Sequence, residues 1–321
     1  MQIILLFMRS KRDVRRAVVA GVLLLLLIGW TIYGSGNLKR QSLLDDLDGR
    51  LSARVGANAD VLAHQIDQLR RDVRFLASVP PVVGLVRASE DGGVDSTENT
   101  PAILWQRRLE SIFQAYVMAN PDVFQVRLIG VAGHGRELVR IERTAGRIAV
   151  VAPEKLQEKG DTDYVMQTSG LQAQQVYVSE VNLNREQGTV QVPNVATLRV
   201  ATPVLSSHGQ VVGMVVINFD VNAILGQLQA NLPAHFQSCL VNARGDFFLQ
   251  PIHSRRFGFG LRRRWRWQDE FWAIDVPDPR NLSGLQRFGS LSGLPHDGMT
   301  QRTCTRLANV LPWILTGQSG T

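Results

Sequence analysis

Residues 176–220 read VYVSEVNLNREQGTVQVPNVATLRVATPVLSSHGQVVGMVVINFD, and the reading of this stretch decides the fold. Three β-rich runs alternate with polar turns. Val176, Tyr177, Val178 and Ser179 make the first run, and residues 182–188 (NLNREQG) are a polar turn region. Residues 198–205 make the second run. Residues 206–210 (SSHGQ) are a turn in which Gly209 can take a positive φ. Residues 211–219 (VVGMVVINF) make the third run, almost continuously apolar, so both of its faces need cover. Asp220 ends it, and residues 221–229 read as a helix leaving the sheet. On the residues alone this is an antiparallel β-meander, an arrangement that many folds contain.

The order of the tokens narrows it. Tyr-x-Ser stands at 177–179, Arg-x-Ala-Thr-Pro-Val at 199–204, a glycine turn at Gly209, and Gly-x-Val-x-x-Asn-x-Asp at 213–220. This set resembles the last three strands of the extracytoplasmic Cache sensor domain, a PAS-like module of bacterial receptors. Upstream, residues 124–129 (FQVRLI) and 137–142 (ELVRIE) alternate as half-buried strands do, with a tight turn at 132–135 between them. The stretch VRLIGVAGHGRELVRIER (126–143) is similar to the first two strands of the same module. Gly133-His134-Gly135 lacks the length and the Lys-Ser/Thr of a phosphate-binding loop, and His134 reads as a turn residue. Residues 155–170 are then the short helices and loop that cross the open face of a PAS-like sheet. Downstream, residues 237–241 and 247–249 read as strands flanking a turn at 242–246, and SRRFGFGL follows at 254–261. This part resembles the opening of the membrane-proximal module of a double Cache region, with Gln250 where the family commonly has His.

Toward the N-terminus, residues 17–33 carry no charge and have Leu23 to Leu27 at their centre, close to the ~17–25 residues a transmembrane helix needs. Arg9, Lys11, Arg12, Arg15 and Arg16 precede this run against Asp13 alone, which puts residues 1–16 in the cytoplasm and the body outside the bacterial inner membrane. Trp30 and Tyr33 sit where an interfacial aromatic belt would be. A cleaved signal peptide competes with this reading. Its exit would be Gly34-Ser35-Gly36, a poor match to the Ala-x-Ala type, so an uncleaved anchor is preferred. Residues 37–78 form a stalk helix. Leu43, Leu47, Leu51, Val55, Ala59, Leu62, Ile66, Leu69, Val73 and Leu76 follow steps of three or four, one apolar stripe on a helix roughly 60 Å long. The stripe packs on the protein's own sheet, and small residues such as Ala53, Gly56, Ala57 and Ala63 admit a second copy, so a homodimer through the stalk is expected. Pro80-Pro81 stops the helix. Residues 88–100 read as a polar loop. Pro101 opens a further helix with Ile103, Leu109, Ile112, Phe113 and Tyr116 inward.

The expected architecture is α+β: a transmembrane helix, a stalk helix, a membrane-distal Cache module over 79–230 and a partial membrane-proximal module over 231–270. Residues 271–321 show little sustained periodicity and are rich in Gly, Pro, Ser, Thr and Arg, so the expectation is a truncated or frameshifted tail. On that view Cys304 is no disulfide partner, and Cys239 is a small buried residue. The formal net charge of +7 raises nucleic-acid binding, but much of the excess lies in the N-terminal flank and in 255–266, and an exported body would not meet DNA.

A ligand pocket in a PAS-like module lies between the sheet and its cap. Candidate lining residues are Arg140, Tyr164, Tyr177, Ser179 and Asp220. Arg140 could grip a carboxylate, Asp220 could receive an amine, and the tyrosines could give apolar walls with polar tips. Against this, Arg140 could face solvent and Asp220 could only cap the next helix. Amino-acid-binding members of the superfamily carry Arg-x-Trp-Tyr before the Tyr177 position. This chain does not, so the expectation is that the pocket takes another small solute or nothing. No His-Glu-x-x-His, Gly-x-Ser-x-Gly or Cys-x-x-Cys is present, the six histidines are scattered, and no cofactor is expected. The reading is the small-molecule sensing region of a bacterial signal-transduction receptor. The alternatives are a stand-alone anchored binding or dimerisation protein and an exported hydrolase.

Overall fold

The apolar stripe of the long N-terminal helix, the two buried faces of the sheet and the polar cap account for most of the architecture. A computed structural model describes residues 11–186, 188–231, 239–242, 244–250, 252–261 and 263–270. Two units divide the chain, residues up to 53 and residues from 54 onward. Helix α1 spans Lys11–Ser78.

In the first unit the apolar run is bare: Leu25 is 70% and Trp30 81% exposed. Val14–Leu43 is the one stretch among the described residues long and apolar enough to cross a membrane.

In the second unit the periodic stripe is buried. Leu62, Ile66, Leu69, Val73 and Leu76 all enter the main core. Each large aliphatic side chain taken out of water there contributes about 1.5–3 kcal/mol before entropy is counted. As expected, α1 ends just before Pro80-Pro81. The two prolines do not open a loop, however. They occupy the first positions of helix α2 (Pro80–Glu90), where a missing N–H costs nothing. The expected loop 88–100 is therefore shorter. Its first residues close α2, and Val94–Asp95 pairs with Thr100–Pro101. The carboxylate of Asp95 organises this turn, accepting from Nε and Nη2 of Arg87 at 2.9 and 2.6 Å and from the Trp105 indole at 3.1 Å.

Helix α3 (Ala102–Ala119) buries Trp105, Leu109, Phe113 and Val117, one residue per fourth position. Ile103 was expected inward but is 55% exposed, because it lies two residues, about 200°, from Trp105 around the helix. Ile112 and Tyr116 pack at the margin of the core. The Tyr116 hydroxyl donates to Asp72 Oδ2 on α1 at 2.9 Å, tying the two helices together.

The sheet then follows. Strand β1 is Val123–Gly130, β2 Glu137–Thr144 and β3 Arg147–Val150. Helix α4 (Asp163–Ser169) is the cap, followed by β4 (Tyr177–Val178), β5 (Asn182–Leu183), β6 (Ala196–Leu205), β7 (Val211–Asp220) and helix α5 (Asn222–Ala230). The strand order is β3-β2-β1-β7-β6-β4, with β5 also paired to β6, and the pairings are antiparallel. The meander of 176–220 is thus present, and the first hairpin adds to its β7 edge. Two features were not anticipated. Strand β3 is a four-residue edge after a turn with positive φ at Ala145 and Gly146. The polar 182–188 region supplies β5 and half of a small hairpin, Arg185–Glu186 against Thr189–Val190.

Alternation along the strands divides the sheet into two faces. Val126, Leu128, Val139, Ile141, Leu198, Val200, Val215 and Ile217 meet the helices in one core. Ile129, Ala201, Met214 and Val216 turn to the other side, against Tyr164, Val165 and Tyr177. Strand β7 is covered on both faces, as its apolar run requires.

Beyond α5, Leu240–Val241 pairs with Phe247–Leu249. Leu240, Phe248, Leu249 and Phe257 join the same core as the helices. Phe248 stacks on Phe257 with centroids 5.8 Å apart. Cys239 is buried and free, as expected. Cys304 and the tail 271–321 lie outside the described residues.

Candidate functional site

The face of the sheet opposite the helices carries polar side chains in cross-strand rows. The register sets Arg140 beside Arg127, Arg127 beside Val216, Val216 beside Ala201 and Ala201 beside Tyr177. The neighbouring row runs Glu142, Gln125, Asn218, Arg199. Buried side chains this polar need partners, and the cap and the 180s loop bring them.

Two networks result. In the first, Arg140 is held by three carboxylates: Glu142 at 2.6 Å, Glu186 at 3.2 Å and Glu137 at 3.5 Å. Burial alone would lower the Arg140 pKa, but Glu186, Glu137 and Glu142 together raise it. Burial likewise pushes the Glu186 carboxyl up. Arg140, with Arg127 and Lys159, outweighs that and holds it at about 2. The second Glu137 oxygen accepts the Gln157 backbone N–H at 3.0 Å, so the cap is fastened to the sheet.

The second network is poorer in negative charge. Arg127 bonds Glu137 at 3.2 Å and the Tyr164 hydroxyl at 3.0 Å through the same Nη1. Arg199, 7% exposed, donates to the amide oxygens of Asn182 at 2.7 Å and Asn184 at 3.1 Å. Both guanidinium carbons lie 5.6 Å from the centroid of the Tyr164 ring. Lys159 donates to the neutral Gln157 side chain at 2.6 Å. Among the described residues no carboxylate lies within salt-bridge distance of Arg199 or Lys159. Burial, and after it the charge of Arg127, lowers the Lys159 pKa and takes that of Arg199 down to about 10.

A cavity of about 1140 Å³ opens beside this second network. Arg127, Lys159, Tyr164, Tyr177, Ser179 and Arg199 are among its walls, and Asn182, Asn184, Asp163, Gln167 and Leu183 complete much of the lining. Phe259 and Gly260, from the segment after α5, reach its rim. That segment is fixed nearby by Arg244, whose guanidinium meets Glu180 at 2.6 and 3.3 Å.

Of the five residues singled out from sequence, Tyr164, Tyr177 and Ser179 line the cavity. Burial, then the charge of Asp163, raises the Tyr177 pKa, so its hydroxyl is protonated and can donate. The Ser179 hydroxyl accepts the Arg199 backbone N–H at 2.9 Å and donates to the Glu180 carbonyl at 2.8 Å. Arg140 and Asp220 are not among the lining residues. Arg140 is buried and held by its three carboxylates. Asp220 accepts the Asn222 backbone N–H at 2.9 Å at the start of α5, and burial raises its pKa. Arg127, Lys159, Arg199, Asn182 and Asn184 were not singled out beforehand. A signal for two of them exists. Gln125 and Arg127 share one parity of an otherwise apolar strand, and Arg199 opens the Arg-x-Ala-Thr-Pro-Val token.

A sensor module is what this sheet, cap and polar cavity define, and the comparisons with known proteins agree. The family model described as bacterial histidine kinase, sensor domain, matches residues 89–270, more than half of the chain. The chain belongs to that family. Among solved structures, the extracellular domain of the histidine kinase designated vpHK1S-Z8 superposes with a TM-score of 0.52 at 19% identity, covering 69% of this chain and 80% of that one. A domain of a sensory box/GGDEF family protein from Vibrio parahaemolyticus superposes with a TM-score of 0.53 at 20% identity, covering 75% and 88%. Both share the fold. No curated protein matches the sequence.

Proposed function

We propose that this chain is the sensing part of a single-pass bacterial membrane receptor, anchored through 17–33 with residues 1–16 in the cytoplasm, and that its cavity receives a small molecule. The observation that carries the reading is the cavity itself, a cleft lined by the polar face of the sheet and the cap, in a chain of a sensor-domain family. Tyr164, Tyr177 and Ser179 are the proposed ligand contacts. The membrane-distal module over 79–230 would hold the site, and the segment over 231–270 would be the opening of a membrane-proximal module that touches its rim. Occupancy can reach the helices because Arg127 stands on the cavity side of β1 while Val126 and Leu128, on either side of it, pack into the helix core. A ligand that prefers one packing of α1 over another shifts the population between them.

The test is a thermal-unfolding screen of the full chain in detergent against a library of small polar metabolites. A true ligand raises the unfolding midpoint saturably and is recovered unchanged. Gln167→Trp, which projects bulk from an exposed wall position, should abolish the shift while leaving the unliganded midpoint unaltered. A library without a stabilising compound, or a hit indifferent to that substitution, would refute the assignment of the cavity. An alkaline phosphatase fusion after residue 231 should be active and one after residue 12 inactive. The reverse pattern would invert the topology.

A further inference from the structure

We infer that the arginine-rich segment after α5 is a contact surface for the anionic phospholipid headgroups of the bilayer that anchors the chain. Arg255, Arg263, Arg264 and Arg266 would meet the phosphates, while Leu261 and Trp265 enter the interfacial layer. The inference rests on 17–33 being a membrane anchor and is independent of the cavity and its ligand.

The argument is one of surplus charge. Residues 255–267 (RRFGFGLRRRWRW) hold six arginines, two tryptophans and no acidic residue. An arginine-rich stretch is commonly a solvated face balanced by nearby carboxylates, so the balance decides. Asp246 is the carboxylate these arginines share. Its side chain is 1% exposed and accepts from Nε and Nη2 of Arg264 at 2.7 and 2.8 Å. Arg244 and Arg266 stand farther from it, at 3.5 and 3.8 Å, and Arg244 is met by Glu180 as well. Asp269 accepts the backbone N–H of Arg266 at 2.8 Å. Arg256 donates to the neutral carbonyl of Gln250 at 2.6 Å. Arg263 is exposed, and among the described residues no carboxylate lies within salt-bridge distance of it. The patch therefore keeps a net positive charge at its surface.

Apolar groups stand among these charges. The Arg255 guanidinium lies 4.3 Å from the centroid of the Trp265 ring, and Ile252 and Leu261 are each 37% exposed. Phe257 and Trp267 are buried beneath them, which fixes the patch on the body of the unit. Rings and aliphatic tips interleaved with arginines suit the headgroup level of a membrane. There the apolar parts leave water and the guanidinium forks pair with phosphate oxygens.

The occupant follows from charge and from attachment. Two copies of this surface would repel each other, and an exported body does not meet nucleic acid. Helix α5 ends against Asn58, which donates to the Leu228 carbonyl at 3.1 Å and accepts from Asn231 at 3.0 Å. Asn58 and Ala59 are where α1 becomes buried in this unit. The segment that follows α5 thus starts at the end from which α1 leads back to the anchor. A surface tethered to its own bilayer engages even when each contact is weak.

The experiment uses the full chain with Cys239→Ala, Cys304→Ala and Leu261→Cys, an environment-sensitive fluorophore on the new cysteine, and nanodiscs of phosphatidylcholine alone or mixed with phosphatidylglycerol. Emission should move to the blue in the mixed discs. High salt should reverse the shift, because the screening length falls to ~3 Å at 1 M. The fluorophore at Ser254→Cys should follow, and at Ser111→Cys on α3 it should not respond. Arg263→Gln should lower the partition into the shifted state about fivefold, with the unfolding midpoint unmoved, since no carboxylate loses its partner. Arg107→Gln, exposed on α3, should change neither. A shift equal in both discs, absent from both, or indifferent to Arg263→Gln and to salt would overturn the inference. A shift that appears only on adding polyglutamate would overturn it as well, by assigning the surface to an acidic protein partner. Failure of the chain to enter either disc would overturn the anchor reading, and this inference with it.

Discussion

At the scale of single residues, the decisive feature is how the buried charges are shared out. Glu186 bridges Arg140, Gln157 and Asn184, at 3.2, 3.1 and 3.2 Å, and its pKa sits at about 2, below the ordinary 4.5 of a glutamate. A carboxyl depressed in the folded state stabilises the fold at any pH above its unfolded value and loses that contribution as pH falls toward the folded value. The window is therefore roughly pH 4.5 down to 2. Glu186→Gln should lower stability at neutral pH by on the order of 1 kcal/mol, a figure reduced for the partial exposure of the side chain. It should also flatten the acid limb, which unfolding midpoints at pH 6, 4 and 3 would show. An acid limb as steep as the parent's would mean that the bridge contributes nothing. A neighbouring bond gives a second expectation. Tyr164→Phe deletes the acceptor of the Arg127 bond and should cost about 1–2 kcal/mol, measured by denaturant titration. Sequence made Tyr177 and Ser179 visible because they stand in the Tyr-x-Ser token, and Tyr164 because it is a tyrosine in the segment expected to cap the sheet. It did not make Lys159, Asn182 or Asn184 visible, because they sit in loop and cap segments without periodicity. Which loop residues converge on Arg199 is decided by tertiary folding, not by spacing.

At the scale of elements, legibility follows the strength of the periodic signal. The part of the α1 stripe from Ala59 to Leu76 and the apolar run of β7 were readable because each must satisfy a burial requirement, whereas Leu43, at the start of the same stripe, is 63% exposed. Strand β3 and the Arg185–Glu186 hairpin were not, since two to four residues at an edge bury too little to leave a pattern. The prolines at 80 and 81 were read correctly as an end, but they serve equally as a beginning, and only the helix that follows distinguishes the two. Helix α2 illustrates what packing then demands. Gly84 lies directly beneath the Trp105 indole, and a Cβ there would collide with the ring. Trp105 cannot swing away freely, because its N–H is bound to Asp95. Gly84→Ala should therefore destabilise the second unit by about 1–3 kcal/mol, seen as a lowered unfolding midpoint with red-shifted tryptophan emission. Leu109→Ala, in the same interface, should cost about 2–5 kcal/mol because it leaves a cavity at a fully buried site. A Gly84→Ala protein that melts with the parent would show that the indole has room the geometry does not suggest.

At the scale of the molecule, the question is what the outward side of α1 meets. One side of its C-terminal half is spent on the sheet core. On another, Val61 is 42% and Phe75 63% exposed, two heptads apart, and Gly56 and Ala57 lie exposed a turn earlier. A spacing of fourteen residues returns to one seam when helices supercoil, and small residues allow close approach. An exposed phenylalanine on a helix would gain by burial against a second copy, whose identical seam would supply the matching surface under a two-fold axis. The expected dimer can be tested with the full chain in its membrane, with Cys239 and Cys304 replaced by Ala. Val61→Cys and Phe75→Cys should each give a dimer on mild oxidation, since symmetric positions near the axis bring their Cα atoms within the ~4.4–6.8 Å a disulfide requires. Ser111→Cys, exposed on α3, is the control for random collision. If crosslinking at 61 and 75 does not exceed that control, the seam is not a dimer interface. If it does exceed the control, and addition of a cavity ligand changes its yield at 75 but not at 61, then the packing of α1 is the element that reports occupancy.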